Sequence, residues 1–208
     1  MAMSVEPKHA LSRRAVVAAS MSLAAGAVQA QDAGGVGKVT AKRGSAFAET
    51  GVETRNLAEA GPVFLDELLR TENDSRVALL LGEKTRVRLG ANSKLRIDRF
   101  VVASGGKLEL GAGALHIETP PDSAPRGLTV ESPFALIAVR GTTFFAGTEP
   151  DGRFGVFVDD GTVKVTAAGK TVSLKAGDGT TIKAAGEPPD DPAKWSAPRI
   201  ERARRMIG

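Results

Sequence analysis

The chain has 208 residues, a formal net charge of +4, 42% hydrophobic and 4% aromatic residues, and no cysteine. The lack of cysteine excludes disulfide bonds, thiol catalysis and thiolate metal ligands. Half of the small basic excess comes from the first 30 residues, where Lys8, Arg13 and Arg14 outnumber Glu6. The remainder lacks the basic stripe of nucleic-acid-binding domains, so we expect no nucleic-acid partner.

Residues 1–30 have the three parts of a signal peptide. Arg13 and Arg14 precede an apolar segment at 15–28, and Val28-Gln29-Ala30 is a small-residue cleavage site. We expect cleavage after Ala30 and a periplasmic location for the remaining chain. The paired arginines and the weakly hydrophobic apolar segment favour twin-arginine export over the general secretory route. An uncleaved membrane anchor is the alternative, although the apolar segment is shorter than the roughly 20 residues that span a bilayer.

Short segments of alternating apolar and polar residues fill the middle of the chain. After a looser segment at 37–49 with a turn at Gly44, regular strands are predicted at 75–81, 85–89, 94–98, 107–110 and 114–118. Glycine-containing turns recur about every ten residues, and Asp160-Gly161 has the composition of a tight hairpin turn. A loop with prolines at 120–125 divides this region into two halves. The pattern predicts an all-β domain at 31–185, either a β-solenoid or a sandwich-like fold.

Residues 186–208 differ in composition from the β domain. Three prolines at 188–192 predict an extended linker, because proline cannot donate a hydrogen bond within a central strand. A short C-terminal helix is predicted to follow, with Ser196 as its N-cap. Ile200, Ala203 and Ile207 fall on one face of that helix, and arginines are concentrated in its last turns.

A glycine-centred motif occupies residues 139–144, and its characteristic residues are Val139, Arg140, Gly141, Thr142 and Phe144. In a structural interpretation, Gly141 forms a tight bend and Phe144 fills the core. The hydroxyls of Thr142 and Thr143 then satisfy backbone groups. In a functional interpretation, Arg140 and Thr142 belong to a recognition surface. The apolar residues on either side favour the structural interpretation.

The residue types that carry catalysis occur without suitable partners. His116 is the one histidine after residue 30, whereas zinc sites take three or four ligands. Asp159 and Asp160 are adjacent in a predicted strand, where neighbouring side chains point to opposite faces. The sequence has no Gly-x-Ser-x-Gly nucleophile motif. We therefore interpret His116 as a solvent-facing strand residue, and we expect no catalytic, cofactor or metal site and no small-molecule substrate.

Two groups of residues are candidates for an interaction surface. Arg86, Arg88 and Arg96 lie on the polar faces of predicted strands, where they either contact a partner or are simply solvated. Trp195 is the only tryptophan, and tryptophan and arginine are frequent at the centres of protein interfaces. The segment around Trp195 either docks a partner or caps one end of the β domain, and the capping interpretation is favoured.

Several of these segments together resemble the FecR domain family. The motif at 139–144 and the strand-turn-strand pattern at 156–165, which contains Asp160-Gly161, are similar to the C-terminal half of such a domain. Segments at 60–71, 89–97 and 172–181 resemble further family motifs in the same order. The resemblance extends over residues 37–182.

Two turns depart from the family pattern. Asp66-Glu67 stands where the family has Gly-Asp, and Gly82-Glu83-Lys84 stands where it has Asp-Gly-Ser. Both departures concern turns, so they affect local geometry more than the fold.

The resemblance implies a periplasmic signalling or interaction module without enzymatic activity. The best-known family members are anti-sigma regulators with a cytoplasmic helical domain and a membrane span before the FecR domain. The present sequence shows neither, so we do not transfer the anti-sigma function. We expect a module that binds an unidentified periplasmic or membrane protein in envelope signalling or regulation. One alternative is an envelope glycan-binding or polysaccharide-binding protein with Phe100 and Trp195 as aromatic platforms, and another is a membrane-anchored regulator that keeps its leader.

Overall fold

The computed structural model describes residues 34–101, 105–120 and 127–208. The predicted signal peptide and most of the predicted proline loop lie outside these residues. Within them the chain forms eighteen strands and one helix. In chain order these are β1 (Gly37–Arg43), β2 (Ala46–Thr50), β3 (Glu53–Asn56), β4 (Pro62–Val63), β5 (Leu68–Thr71), β6 (Arg76–Leu81), β7 (Thr85–Leu89), β8 (Lys94–Val101), β9 (Gly105–Ala112), β10 (Ala114–Glu118), β11 (Leu128–Glu131), β12 (Leu136–Val139), β13 (Thr143–Thr148), β14 (Phe154–Asp160), β15 (Thr162–Ala167), β16 (Lys170–Lys175), β17 (Asp178–Ile182), β18 (Ala193–Lys194) and α1 (Ala197–Ile207).

The five strands predicted from regular alternation correspond to β6–β10, and the all-β prediction is confirmed. In β7, for example, Thr85, Val87 and Leu89 are buried whereas Arg86 and Arg88 are exposed. Alternation of this kind arises because one face of the strand meets the core and the other meets water. No strand forms in the proline-rich segment at 186–192, as predicted.

The strands form two nine-stranded sheets. Sheet I has the order β4-β1-β6-β7-β10-β13-β14-β17-β18, and sheet II has the order β3-β2-β5-β8-β9-β11-β12-β15-β16. The chain passes repeatedly from one sheet to the other and advances along both in nearly sequential order. The fold is therefore sandwich-like, and its sequential progression accounts for the short repeating units that also allowed a solenoid interpretation.

One hydrophobic core lies between the sheets. Inward-facing side chains from both sheets form it, among them Leu79, Val87 and Phe144 from sheet I and Ile97 and Val165 from sheet II. Each of these side chains is at most 1% exposed, so the alternation seen in the sequence matches the inward face of each strand. The two outer faces of the sandwich point away from each other.

The paired strands are antiparallel, with the exception of β9 and β11 among the described residues. Leu128 of β11 is opposite Gly106 of β9, and Glu131 is opposite Glu109. This parallel pair joins the two halves of the β domain that the proline loop was predicted to separate. The intervening β10 lies in the other sheet, which gives the chain the crossover that a parallel pair requires.

The two turns that depart from the family pattern retain left-handed backbone geometry. Asp66 has φ +61° and Gly82 has φ +56°. Glycine adopts this region at no steric cost, and aspartate is among the few other residues that tolerate it. The neighbouring Glu67 is 3% exposed, receives a hydrogen bond of 3.0 Å from the Phe64 amide, and forms an ion pair of 2.7 Å with Arg55.

The helix α1 begins after Ser196, as predicted, although the Ser196 side chain makes no capping hydrogen bond. Ala203 and Ile207 are buried on the predicted face and Ile200 is half-buried. The helix packs on the outer face of sheet I, so it does not cap an end of the sandwich. No helix within the described residues is long and apolar enough to cross a membrane.

Candidate interaction surface

The glycine-centred motif forms a bend between β12 and β13. Gly141 has φ +59°, which explains the need for glycine at this position. Val139 and Phe144 are in the core at 4% and 0% exposure, whereas Arg140 is exposed. The Thr142 carbonyl accepts a 2.9 Å hydrogen bond from the Thr119 amide. The buried Thr142 hydroxyl has no hydrogen-bond partner within the described residues, so its side chain does not satisfy a backbone group as expected.

The second family segment packs directly against this bend. Gly161, which follows Asp160 at the turn between β14 and β15, has φ +85°. A Cβ atom on Gly161 would lie 2.7 Å from the Gly141 carbonyl oxygen and 2.7 Å from Thr142 Cγ2. The two motif turns therefore form one packed unit. Its contacts are those of a structural motif, and Arg140 is the motif side chain that projects into solvent.

The three arginines predicted to form an interaction surface lie on opposite sides of the sandwich. Arg86 and Arg88 are on β7 in sheet I, whereas Arg96 is on β8 in sheet II. All three point outward, and the outer faces of the two sheets diverge. The prediction that the three arginines form one surface is therefore wrong. Alternation identifies an outward-facing residue but not the sheet to which its strand belongs.

Trp195 is buried, at 8% exposure, between α1 and the outer face of sheet I. Its ring stacks on Phe157 at a centroid distance of 5.3 Å and meets the edge of Phe145 at 6.4 Å. The Arg199 guanidinium lies over the ring at 3.7 Å from its centroid. Trp195 therefore attaches the C-terminal segment to the sheet, and it is not exposed to contact a partner as the docking interpretation required.

The glycan-binding alternative loses Trp195, one of its two predicted aromatic platforms. Trp195 is covered by α1, and Phe100 is partly buried against the core between the sheets. Sugar rings stack on exposed aromatic faces, and Trp195 does not offer one.

A buried ion pair also fixes α1, and the sequence did not reveal it. Arg199 binds both carboxylate oxygens of Glu149, and its Nη2 donates a 2.8 Å hydrogen bond to Thr181 Oγ1. The Glu149 side chain is 5% exposed and that of Arg199 is 23% exposed. Residues 50 positions apart form this pair, and only the fold brings them together. Because the Glu149 carboxylate is buried and Arg199 is partly covered, removal of either partner should carry a substantial cost.

A cleft of about 360 Å³ opens beside α1 on sheet I, where the helix leaves the sheet partly uncovered. Five apolar residues line it, Phe145 and Phe157 from the sheet and Ile200, Ala203 and Ile207 from the helix. Arg88, His116, Asp159 and Arg204 are the charged or ionisable residues that line it.

His116 occupies this cleft and is not the solvent-facing residue that we predicted. Its Nε2 atom lies 3.2 Å from Asp159 Oδ2, and its side chain is 21% exposed. Arg204 of the helix approaches the other oxygen of Asp159 at 3.3 Å. His116 and Asp159 belong to β10 and β14, which are both neighbours of β13 in sheet I. The sequence did not indicate this pairing, because it depends on the order of the strands.

The electrostatic setting of Asp159 combines two opposing effects. Burial alone raises the pKa of this carboxyl, but the hydrogen bonds from His116 and Arg204 outweigh burial and lower the pKa below its ordinary value of 3.8. Asp159 is therefore ionised at neutral pH and attaches α1 to β10. No Ser or Thr hydroxyl in the described part of the chain is hydrogen-bonded to His116. What the cleft offers is an apolar floor with charged groups at its rim.

Comparison with known proteins identifies one domain of the chain. The family described as FecR protein matches residues 67–164. No curated protein matches the chain. Two crystal structures of a candidate anti-sigma factor from Parabacteroides distasonis ATCC 8503, at 2.50 and 1.65 Å resolution, are similar to this chain with a TM-score of 0.55.

The similarity to these two structures concerns the fold. Each is 15% identical to this chain, and each match covers 64% of this chain and 62% of the other. The chain thus spans less than two thirds of the protein that it matches. The family match includes the motif at 139–144 and all but the last residue of the segment at 156–165. The segment at residues 67–164 is therefore a FecR domain, as the sequence resemblance predicted.

Proposed function

We propose that the chain is a non-enzymatic periplasmic module that binds a partner protein in envelope signalling or regulation. The observation that carries the proposal is the FecR domain at 67–164. The fold shared with a candidate anti-sigma factor supports a signalling or regulatory role. The signal-peptide pattern at 1–30 supports export.

Cross-linking in living cells tests the protein-partner proposal. A photo-reactive amino acid is introduced at exposed positions on both outer faces, and cross-linked products are captured and identified by mass spectrometry. We expect one periplasmic or membrane protein to be recovered reproducibly from positions on one face. A control chain without residues 1–30, retained in the cytoplasm, should not capture that protein. Capture of envelope glycan alone, or of nothing, would overturn the proposal.

Export and anchoring are tested separately. N-terminal sequencing of the protein from the periplasmic fraction should give Gln31 as the first residue. The double substitution Arg13→Lys with Arg14→Lys should abolish export if the twin-arginine route is used, since that route reads the arginine pair. Unchanged export would assign the general secretory route. Recovery of the full-length chain from the membrane fraction would instead support the anchored regulator.

A further inference from the structure

We propose that the groove on sheet I beside α1 is the partner-binding site, and that it takes an acidic peptide segment carrying a large apolar side chain. This proposal rests on the proposed function and adds the chemistry of the partner. The groove consists of the cleft described above together with an adjoining cavity, and Arg88 lines both.

The cleft has the size and lining of a side-chain pocket. Its volume of about 360 Å³ falls at the lower end of the range for ligand sites in proteins. Phe145 and Phe157 form the floor, and Ile200 and Ile207 of α1 form one wall. A cleft of this shape accommodates one or two apolar side chains. It would remain empty beneath a flat membrane surface, which favours a peptide as the occupant.

The adjoining cavity, of about 560 Å³, supplies positive charge. Lys38, Lys84, Arg86 and Arg88 line it, and Glu83 is the acidic residue among the lining residues. Arg86 is paired with Glu118 at 2.9 Å. The side chains of Lys38, Lys84 and Arg88 form no ion pair or hydrogen bond with described residues, and neither does that of Glu83, so among the described residues three such cations accompany one such carboxylate.

The outer face of sheet II provides an internal contrast. Lys107 there is surrounded by Asp98, Glu109 and Glu131 at 3.0–3.3 Å. Arg70 on that face is paired with Glu49 at 2.9 Å and also with Glu72. Lys107 and Arg70 thus have partners within the domain, whereas Lys38, Lys84 and Arg88 of the sheet I groove form no ion pair with a described residue. Electrostatic complementarity steers association and selects partners, so the groove favours an acidic ligand.

Selection from a peptide library tests the chemistry even while the partner is unidentified. A phage-displayed library of random peptides is selected on the mature domain, and enriched peptides are synthesised for affinity measurement. We expect enriched sequences with Asp or Glu on both sides of Leu, Ile or Phe. Their binding should weaken as salt is raised, because part of it comes from exposed charges.

Charge reversal locates the site. Arg88→Glu should weaken the binding of an enriched peptide by about tenfold or more, since it inverts the charge shared by both cavities. Arg96→Glu is the matched control, because it makes the same change on the outer face of sheet II, and binding should stay within about twofold. Circular dichroism of both variants checks that they are folded.

Three outcomes would overturn the inference, namely neutral or basic enriched peptides, no enrichment, or equal binding by the Arg88→Glu variant. Binding to anionic lipid vesicles with no binding to any peptide would overturn it in favour of a membrane surface. The result is separable from that of in-cell cross-linking. If a partner is captured from sheet II positions but not from position 88, the proposed function stands and the groove assignment fails.

Discussion

The attachment of α1 to sheet I can be tested at Gly179, which lies in β17 beneath Trp195. A Cβ atom at this position would lie 2.2 Å from Trp195 Nε1 and 2.5 Å from Cε2. Real Cβ atoms essentially never show distances below 3.0 Å, so Gly179→Ala forces the indole ring to move by about 1 Å. The ring contacts both Phe157 and the Arg199 guanidinium, and both contacts resist that displacement.

The expected cost follows from the packing. Overpacking a well-ordered contact typically costs about 1–3 kcal/mol, and we expect Gly179→Ala to lower the free energy of unfolding by that amount. If the ring leaves the sheet altogether, the loss should approach the roughly 3–5 kcal/mol of a buried tryptophan. Gly111→Ala is the matched control, since Gly111 is also a strand glycine and its nearest neighbour would be 3.7 Å from the new Cβ. Its effect should stay within about 0.5 kcal/mol.

Tryptophan fluorescence reports on the same site, because Trp195 is the only tryptophan. Urea unfolding should show the destabilisation, and the native emission of Gly179→Ala should shift to longer wavelength as the ring becomes more exposed. In a Trp195→Ala background, where unfolding is followed by circular dichroism, Gly179→Ala should lower the free energy of unfolding much less. The difference between the two backgrounds isolates the contact between residue 179 and Trp195. Equal stability of Gly179→Ala and Gly111→Ala, with unchanged emission, would refute the packing described for Trp195.

Three further predictions concern charge and backbone geometry. Glu149→Gln leaves the Arg199 charge without its partner and should lower the free energy of unfolding in urea by about 2–4 kcal/mol. Glu118→Gln, in an exposed ion pair, is the control and should lower it by less than about 1 kcal/mol. Equal losses would contradict the burial argument. The lowered pKa of Asp159 stabilises the fold above pH 3.8, and this contribution is lost as pH falls through the lower folded-state pKa. Unfolding measured across the acid range should therefore be less pH-dependent in Asp159→Asn, and an unchanged profile would count against the pairing. Gly161→Ala should cost at least about 1–3 kcal/mol, because φ is +85° and the turn is packed, and a neutral result in thermal unfolding would contradict that geometry.

Alternation in the sequence located the strands because most of them have one buried face. The strands β7 and β10 were predicted with their observed bounds, and β6, β8 and β9 were predicted within a few residues. Local periodicity determines which side chains point inward. It carries no information on which sheet a strand joins, and the separation of Arg86 and Arg88 from Arg96 followed from that missing information.

The surroundings of α1 could be predicted only in part. The helix and its buried face follow from the spacing of Ile200, Ala203 and Ile207. Its docking site depends on contacts between residues far apart in sequence, such as Arg199 with Glu149. The sequence does contain a local indication, since β13 and β14 break alternation and most of their residues are buried. Burial on both faces requires a second covering element, and adjacent Phe144 and Phe145 mark the two faces.

The groove combines residues from within the family domain with residues from outside it. Arg88, His116, Phe145, Phe157 and Asp159 lie within residues 67–164, whereas the wall supplied by α1 lies beyond that segment. Sheet I contributes side chains whose spacing is fixed by the pairing of its strands. Residues of α1 do not contribute to the core between the sheets, although Arg204 pairs with Asp159. If the groove binds the partner, the wall supplied by α1 can change in charge and shape while the FecR domain keeps its fold, so the C-terminal segment contributes to partner specificity together with the cations of sheet I.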